Sequence, residues 1–312
     1  MRASEVGRSP ANSRVQLCFR AGMTSGENGI MPNLRRWTDH TPMSDPAAHT
    51  SIVAELPSGI GALNSIIQGL LVHSDWLTVY GLDNADYRTV SRNTLPVADR
   101  LDTILGNDSQ DLRTPRPPGK RAVGTCRDFA LMLCSFLRSK SVPSRVRCGF
   151  ADYFGTPWED HWVCEYWDEH ARKWLLSDAQ LDSLIAAKCQ AEFDPVDVPR
   201  SAFMTAGEAW LACRDGKLDP NHFGHGNVTG MWFIKINVIR DHYVLHGHET
   251  SAWDGWRAVP LSNRVINEQE VALLDDLAAR PEQQFVEVAP PMKEAAPIGD
   301  AASHAGEASL RS

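Results

Sequence analysis

The apolar positions of the chain change period part-way along. In "GALNSIIQGLLVH", Leu63, Ile66, Ile67, Leu70 and Leu71 recur at i, i+3, i+4, i+7 and i+8, which predicts a helix with one buried face. A weaker helical pattern through Val97, Leu101, Ile104 and Leu105 ends in the turn-forming "GNDSQD". In "LRTPRPPGKRAVG", three prolines and two glycines predict a loop. Directly after Cys126, Phe129, Met132, Leu133, Phe136 and Leu137 form one continuous apolar stripe, the best helical pattern in the chain, which must stop before Pro143. The period then shortens. "SRVRCGFADYF" alternates, and "HWVCEYW" and "RKWLLSDAQL" are two β-rich runs joined by the polar "DEHAR", which predicts an antiparallel meander. Further on, "SAFMTAGEAWLACRDG" reads as a helix and "GMWFIKINVIRDHYVL" as one or two more strands.

The flanks lack periodicity. Residues 1–49 are rich in Ser, Arg, Pro, Asn and Gly, a composition expected to be disordered. Met23, Met31 and Met43 are each candidate starts, with "MSDPAAHT" resembling a natural beginning. Residues 286–312 are low in large apolar side chains and are expected to form a flexible tail, leaving one folded domain over 50–285.

With 312 residues and 43% hydrophobic composition the chain is long enough to bury a substantial core. Its formal net charge of −8 argues against broad attraction to nucleic acid or an anionic membrane. Seven cysteines, at 18, 126, 134, 148, 164, 189 and 213, include no CxxC pair. An odd count without paired spacing favours free thiols and a cytoplasmic location over a disulfide framework. No apolar run reaches the length of a membrane span.

Cys126 is the position that carries chemistry. The first N–H groups of a helix lack internal partners and the helix dipole is positive there, so a thiolate is stabilised. Gly124 is expected to allow a tight turn and leave room for substrate, and Arg127 to add a cation. A nucleophilic cysteine needs a base, and the base needs an orienting group. His161 opens the first strand of the expected hairpin and Asp178 closes the second, so antiparallel pairing makes them neighbours. Asp168 and Asp182 are rivals for the acid, and Asp128 suits the dipole of the first turn. An acyl-transfer site also needs donors for the oxyanion. The Cys126 N–H is one, and Gln68 and Trp76 are upstream candidates for the second.

The order "GTCRDFA", "VPSRVRCGF", "DHWVCEYWD" and "KWLLSDAQLD" resembles the transglutaminase-like superfamily, most nearly its bacterial cytoplasmic members. That resemblance implies an α+β fold with a papain-like core, the nucleophile helix packed on an antiparallel sheet. It also implies catalytic Cys126, His161 and Asp178, and acyl transfer or hydrolysis of an amide through a Cys thioester. No cofactor or metal is expected, and no acidic loop is spaced for calcium. The expected substrate is a peptide or small amide. The alternative is a catalytically silent binding module using the same cleft.

The remaining features have plainer readings. Cys134, Cys148 and Cys164 lie within the helix and strands and read as core. Arg113, Arg116, Lys120 and Arg121 form a solvated face or a surface that steers an acidic or carrier-bound substrate. Trp158 is a candidate groove residue among core tryptophans. His222, His225, His242, His246, His248 and Glu249 are of metal-ligating type but match no ligand spacing, so hydrogen-bonded or surface histidines are expected.

Overall fold

The computed structural model describes residues 34–87, 96–154, 157–250 and 265–288. In chain order the helices are α1 (Thr50–Ala54), α2 (Ile60–Leu70), α3 (Val97–Asn107), α4 (Cys126–Arg138), α5 (Ser183–Cys189), α6 (Ala206–Arg214), α7 (Met231–Val244) and α8 (Glu268–Ala279). The strands are β1 (Leu71–His73), β2 (Ala122–Gly124), β3 (Ser144–Ala151), β4 (Trp158–Asp168), β5 (Lys173–Ser177), β6 (Phe203–Thr205), β7 (Phe223–His225) and β8 (Val228–Thr229).

The class is α+β, with α4 packed on the antiparallel pair β3–β4, as the sequence predicts. Val146, Cys148, Trp162 and Cys164 on the sheet meet Phe129, Leu133 and Phe136 of α4, with α2 and α3 closing the same core behind them. A second core on the α6, α7 and α8 side gathers Phe150, Trp210, Phe223 and Phe233. The main sheet runs β6-β3-β4-β7-β8, with β5 also on β4. One pairing departs from the antiparallel expectation: β7 joins β4 in parallel.

Two further expectations need correction. The run expected to supply strands, "GMWFIKINVIRDHYVL", is the helix α7, and it is buried all round from Trp232 to Val244. A helix covered on every side carries no amphipathic period, so its β-branched residues mimic a buried strand. In "SAFMTAGEAWLACRDG", Phe203–Thr205 is strand β6 and only Ala206–Arg214 is helical.

The folded part also begins before residue 50. Trp37 is buried against Trp174, edge to face at 6.3 Å, with the Arg145 guanidinium 5.0 Å from its ring. Ser44 accepts a 2.7 Å hydrogen bond from Arg138. A single large aromatic side chain outweighs the polar composition around it. At the other end Val286 and Val288 donate to His242 Nε2 and the Tyr243 hydroxyl at 3.0 and 3.2 Å, which extends the ordered chain past 285. Residues 1–33 and 289–312 lie outside the described residues. Among the described residues no helix is long and apolar enough to cross a membrane.

Candidate active site

The start of α4 is held by buried charge. Thr125 is extended, and its N–H donates to Asp128 Oδ2 at 2.7 Å. The same carboxylate meets Arg100 Nη2 at 3.1 Å and Arg127 Nη1 at 3.3 Å, all three residues being buried. A Cβ on Gly124 would lie 3.0 Å from Asp128 Oδ2 and 3.1 Å from its Cβ. The glycine therefore admits the capping carboxylate, a different role from the turn and substrate space expected of it. Arg127 also differs from expectation. Its guanidinium donates to the Glu249 carbonyl at 3.0 Å and to the Thr250 carbonyl at 2.6 Å, so its charge is spent anchoring the helix.

The hairpin brings His161 and Asp178 together, as the strand pairing predicts. In the β4–β5 register Cys164 faces Ser177, so Asp178 leaves β5 just as β4 runs on past it to His161. On this edge of β4, β5 covers 164–168 and β7 covers 158–159, leaving a gap between them at His161 among the described residues. His161 Nε2 lies 2.8 Å from Asp178 Oδ2. Asp178 is 1% exposed, and it also accepts from the Tyr153 hydroxyl at 2.8 Å and the Gln180 N–H at 2.9 Å. With Nε2 donating to this carboxylate, the proton-accepting nitrogen of neutral His161 is Nδ1.

Cys126 sits against the same strand. The backbone N–H groups of Trp162 and Arg127 hydrogen-bond its sulfur and favour the thiolate. They are outweighed: burial pushes the thiol well above its ordinary pKa, and the Asp160 and Asp178 carboxylates add to the rise. Helix-start stabilisation, expected to lower the pKa, is the smaller effect in a residue only 9% exposed.

The rival acids have other work. Asp182 caps α5 through the N–H groups of Leu184 and Ile185 and accepts from Tyr80 at 2.7 Å. Asp168 accepts from Ala171 N–H at 2.6 Å in the hairpin turn. Gln68 donates to the Leu181 carbonyl at 3.1 Å, which occupies its amide, while Trp76 packs on Phe154 at 5.8 Å between ring centres. Of the basic loop, Arg116 is buried under four carbonyls and Arg113 pairs with Asp111 at 2.7 Å, while Arg121 lies over the Tyr80 ring. Trp158 stacks on Phe223, 5.7 Å apart, within the second core.

Cys134, Cys148 and Cys164 are fully buried, the first and third with sulfurs 3.2 Å apart. Among the described residues, the candidate ligand histidines from His222 to His248 are hydrogen-bonded or exposed. His225 pairs with Glu159, both ring nitrogens of His246 face carbonyls, and His222 is on the surface. Among the described residues no group of side chains is arranged to hold a metal ion.

Sequence reasoning missed Tyr153 and the support behind β4. Asn237 of α7 donates to Asp160 Oδ1 at 2.7 Å, and Arg240 donates to Asn237 Oδ1 at 2.9 Å. The available signals were weak. Tyr153 follows a strand in "ADYF", and polar residues inside an apolar run flagged α7 as facing something charged.

Part of the chain is similar to a known family. Residues 83–179, which contain Cys126, His161 and Asp178, match the family model of the transglutaminase-like superfamily core. Among solved structures, a candidate cysteine protease from Cytophaga hutchinsonii is similar at 16% identity and a TM-score of 0.35. The match covers 56% of this chain and 46% of that one, so the chain spans less than half the length of that protein. No curated protein matches the chain.

Proposed function

Because residues 83–179 carry the core of the transglutaminase-like superfamily, we propose that the protein is a cysteine enzyme that transfers or hydrolyses an acyl group held in an amide bond. The observation that carries this reading is the hydrogen bond of His161 to the buried Asp178 on the strand whose Trp162 N–H meets the Cys126 sulfur.

In this mechanism the Cys126 sulfur adds to a substrate carbonyl as its proton passes to His161 Nδ1. The C–S bond forms and the carbonyl π pair moves to oxygen. Asp178 holds the ring in the tautomer that accepts at Nδ1 and stabilises the imidazolium. Collapse of the tetrahedral adduct breaks the C–N bond, and His161 returns the proton to the departing amine. Water or an amine, deprotonated by the same Nδ1, then releases the acyl group from the thioester. The chain's own residues supply each of these proton transfers.

Tyr153 and the Gln180 N–H keep Asp178 a hydrogen-bond acceptor fixed in place. The complete Cys, His and Asp set argues against a silent binding module. The described cysteines are all free thiols, which favours a reducing, cytoplasmic compartment.

A library of peptide p-nitroanilides tests the reading: the protein releases nitroaniline from a subset and Cys126→Ala releases none. An added primary amine that captures the acyl group marks transfer, and product acid alone marks hydrolysis. Equal turnover by Cys126→Ala would end the proposal.

A further inference from the structure

The Cys126 N–H at the start of α4 is one candidate donor for the oxyanion; the Gln68 amide is engaged by the Leu181 carbonyl, and Trp76 packs on Phe154, whose ring is 4.8 Å from that of His161. The short parallel pair beside the helix offers another. β1 and β2 align Leu71 with Ala122, Val72 with Val123 and His73 with Gly124. Neighbouring strands lie about 4.8 Å apart. His73 therefore stands abreast of the residue two before the nucleophile, at the strand ends that run toward the amide end of α4.

The histidine itself is prepared for donation. It ends β1 and caps the following 3-10 turn: its Nδ1 accepts the Asp75 N–H at 3.1 Å. An accepting Nδ1 puts the ring proton on Nε2. Nδ1 is the only ring atom with a hydrogen bond among the described residues, although the side chain is buried, with 8% exposure. Burial holds the ring neutral, lowering its pKa to about 4 against the pull of Asp75, and it lies within electrostatic range of both His161 and Asp128. With the β1–β2 register, this puts His73 at the same end of α4 as Cys126.

We propose that His73 is a catalytic residue, its Nε2–H joining the Cys126 N–H to receive the negative charge of the tetrahedral intermediate. This deepens the cysteine-enzyme reading and rests on it. As sulfur adds, the carbonyl π electrons settle on oxygen and the two donors accept no proton and give none up. A neutral imidazole suits this role, because an imidazolium would favour full proton transfer to the oxyanion and would repel the His161 imidazolium formed in the same step.

The test compares two reactions of the same sulfur. Acylation by p-nitrophenyl acetate passes through an oxyanion, whereas alkylation by iodoacetamide does not. His73→Phe and His73→Asn should each slow acylation of Cys126 by about 10²- to 10³-fold while leaving alkylation unchanged, the cost expected for one oxyanion donor. His73→Asn keeps a cap for the Asp75 N–H, so it separates the cap from the reach of Nε2. The ratio of wild-type to variant acylation rates should stay flat from about pH 6 to about pH 9, since a neutral donor does not titrate there.

Full acylation by His73→Asn would reduce the histidine to a cap and overturn the assignment. So would parallel loss of acylation and alkylation in both variants, which would mean that His73 merely places Cys126. A rate ratio that titrates in that pH range would identify a base in place of a donor. Wild-type protein that is alkylated on Cys126 but never acylated would instead remove the cysteine-enzyme reading, and this assignment with it.

Discussion

Gly124→Ala is the most demanding test of how the nucleophile is held. An alanine Cβ would stand 3.0 Å from Asp128 Oδ2, 3.1 Å from Asp128 Cβ and 3.4 Å from its Cγ. Ordinary contacts begin at about 3.5 Å, so Asp128 or β2 must give way by about half an ångström. If Asp128 retreats, its 2.7 Å bond from Thr125 N–H passes the useful hydrogen-bond range. The lost cap costs about 1 kcal/mol. Arg100 and Arg127 lose part of their shared buried partner, where complete loss costs about 3–5 kcal/mol. The sum expected is about 2–4 kcal/mol. If β2 moves instead, Cys126 moves with it, and a displacement of this size costs about tenfold in rate, given about 10²-fold for 1 Å.

Urea denaturation and the rate of Cys126 alkylation read the two outcomes. Gly106→Ala, late in α3 with nothing within 4 Å of the new Cβ, is the control and should be neutral or stabilising by up to about 1 kcal/mol. A Gly124→Ala protein as stable and as reactive as wild type would refute the steric reasoning.

Further outcomes follow from the same contacts. Tyr153→Phe removes one of the hydrogen bonds to buried Asp178 and should lower stability by about 1–3 kcal/mol, with turnover falling alongside it; unchanged unfolding and kinetics would show the bond to be idle. Because burial raises the Cys126 thiol, iodoacetamide labelling should climb about tenfold per pH unit up to and beyond pH 8.5, and a plateau near pH 6 would reveal a resting ion pair instead. His73, with its folded pKa of about 4 below the unfolded 6.5, binds a proton more readily in the unfolded chain, so stability should drop by up to about 3 kcal/mol as pH falls from 6.5 to 4; denaturation curves of His73→Asn should show a flatter dependence over that window. Asp241→Ala strips Arg147 of its 3.0 and 2.7 Å partner and leaves it only Glu165, which should cost about 3–5 kcal/mol; a loss below about 1 kcal/mol would contradict the pairing.

The parts of the site that were legible in the sequence are those set by short-range rules. A cysteine at the first residue of an amphipathic helix and a histidine and an aspartate on adjoining strands of one hairpin follow from period and pairing alone. What was hidden depends on distant chain. Arg127 is drawn off by the carbonyls of Glu249 and Thr250, more than 120 residues away, and no local pattern reports that.

The direction of the Cys126 shift is hidden for a related reason: the helix end is local and the burial that outweighs it is not. α7 mimics a strand in the sequence because a helix enclosed by two layers keeps no polar face, while its Asn237, Arg240 and Asp241 serve Asp160 and Arg147 on the sheet. Trp37 anchors a segment whose other residues look unfolded, and an average over composition cannot register one buried ring.

The most direct test of the central claim is to mix the protein with an activated acyl ester, quench in acid and map the adduct by mass. A Cys126 thioester that hydroxylamine removes, that Cys126→Ala never forms and that His161→Ala forms slowly is the predicted result. An acyl group found only on the half-exposed Cys189 or Cys213, or formed at the same rate without His161, would contradict it.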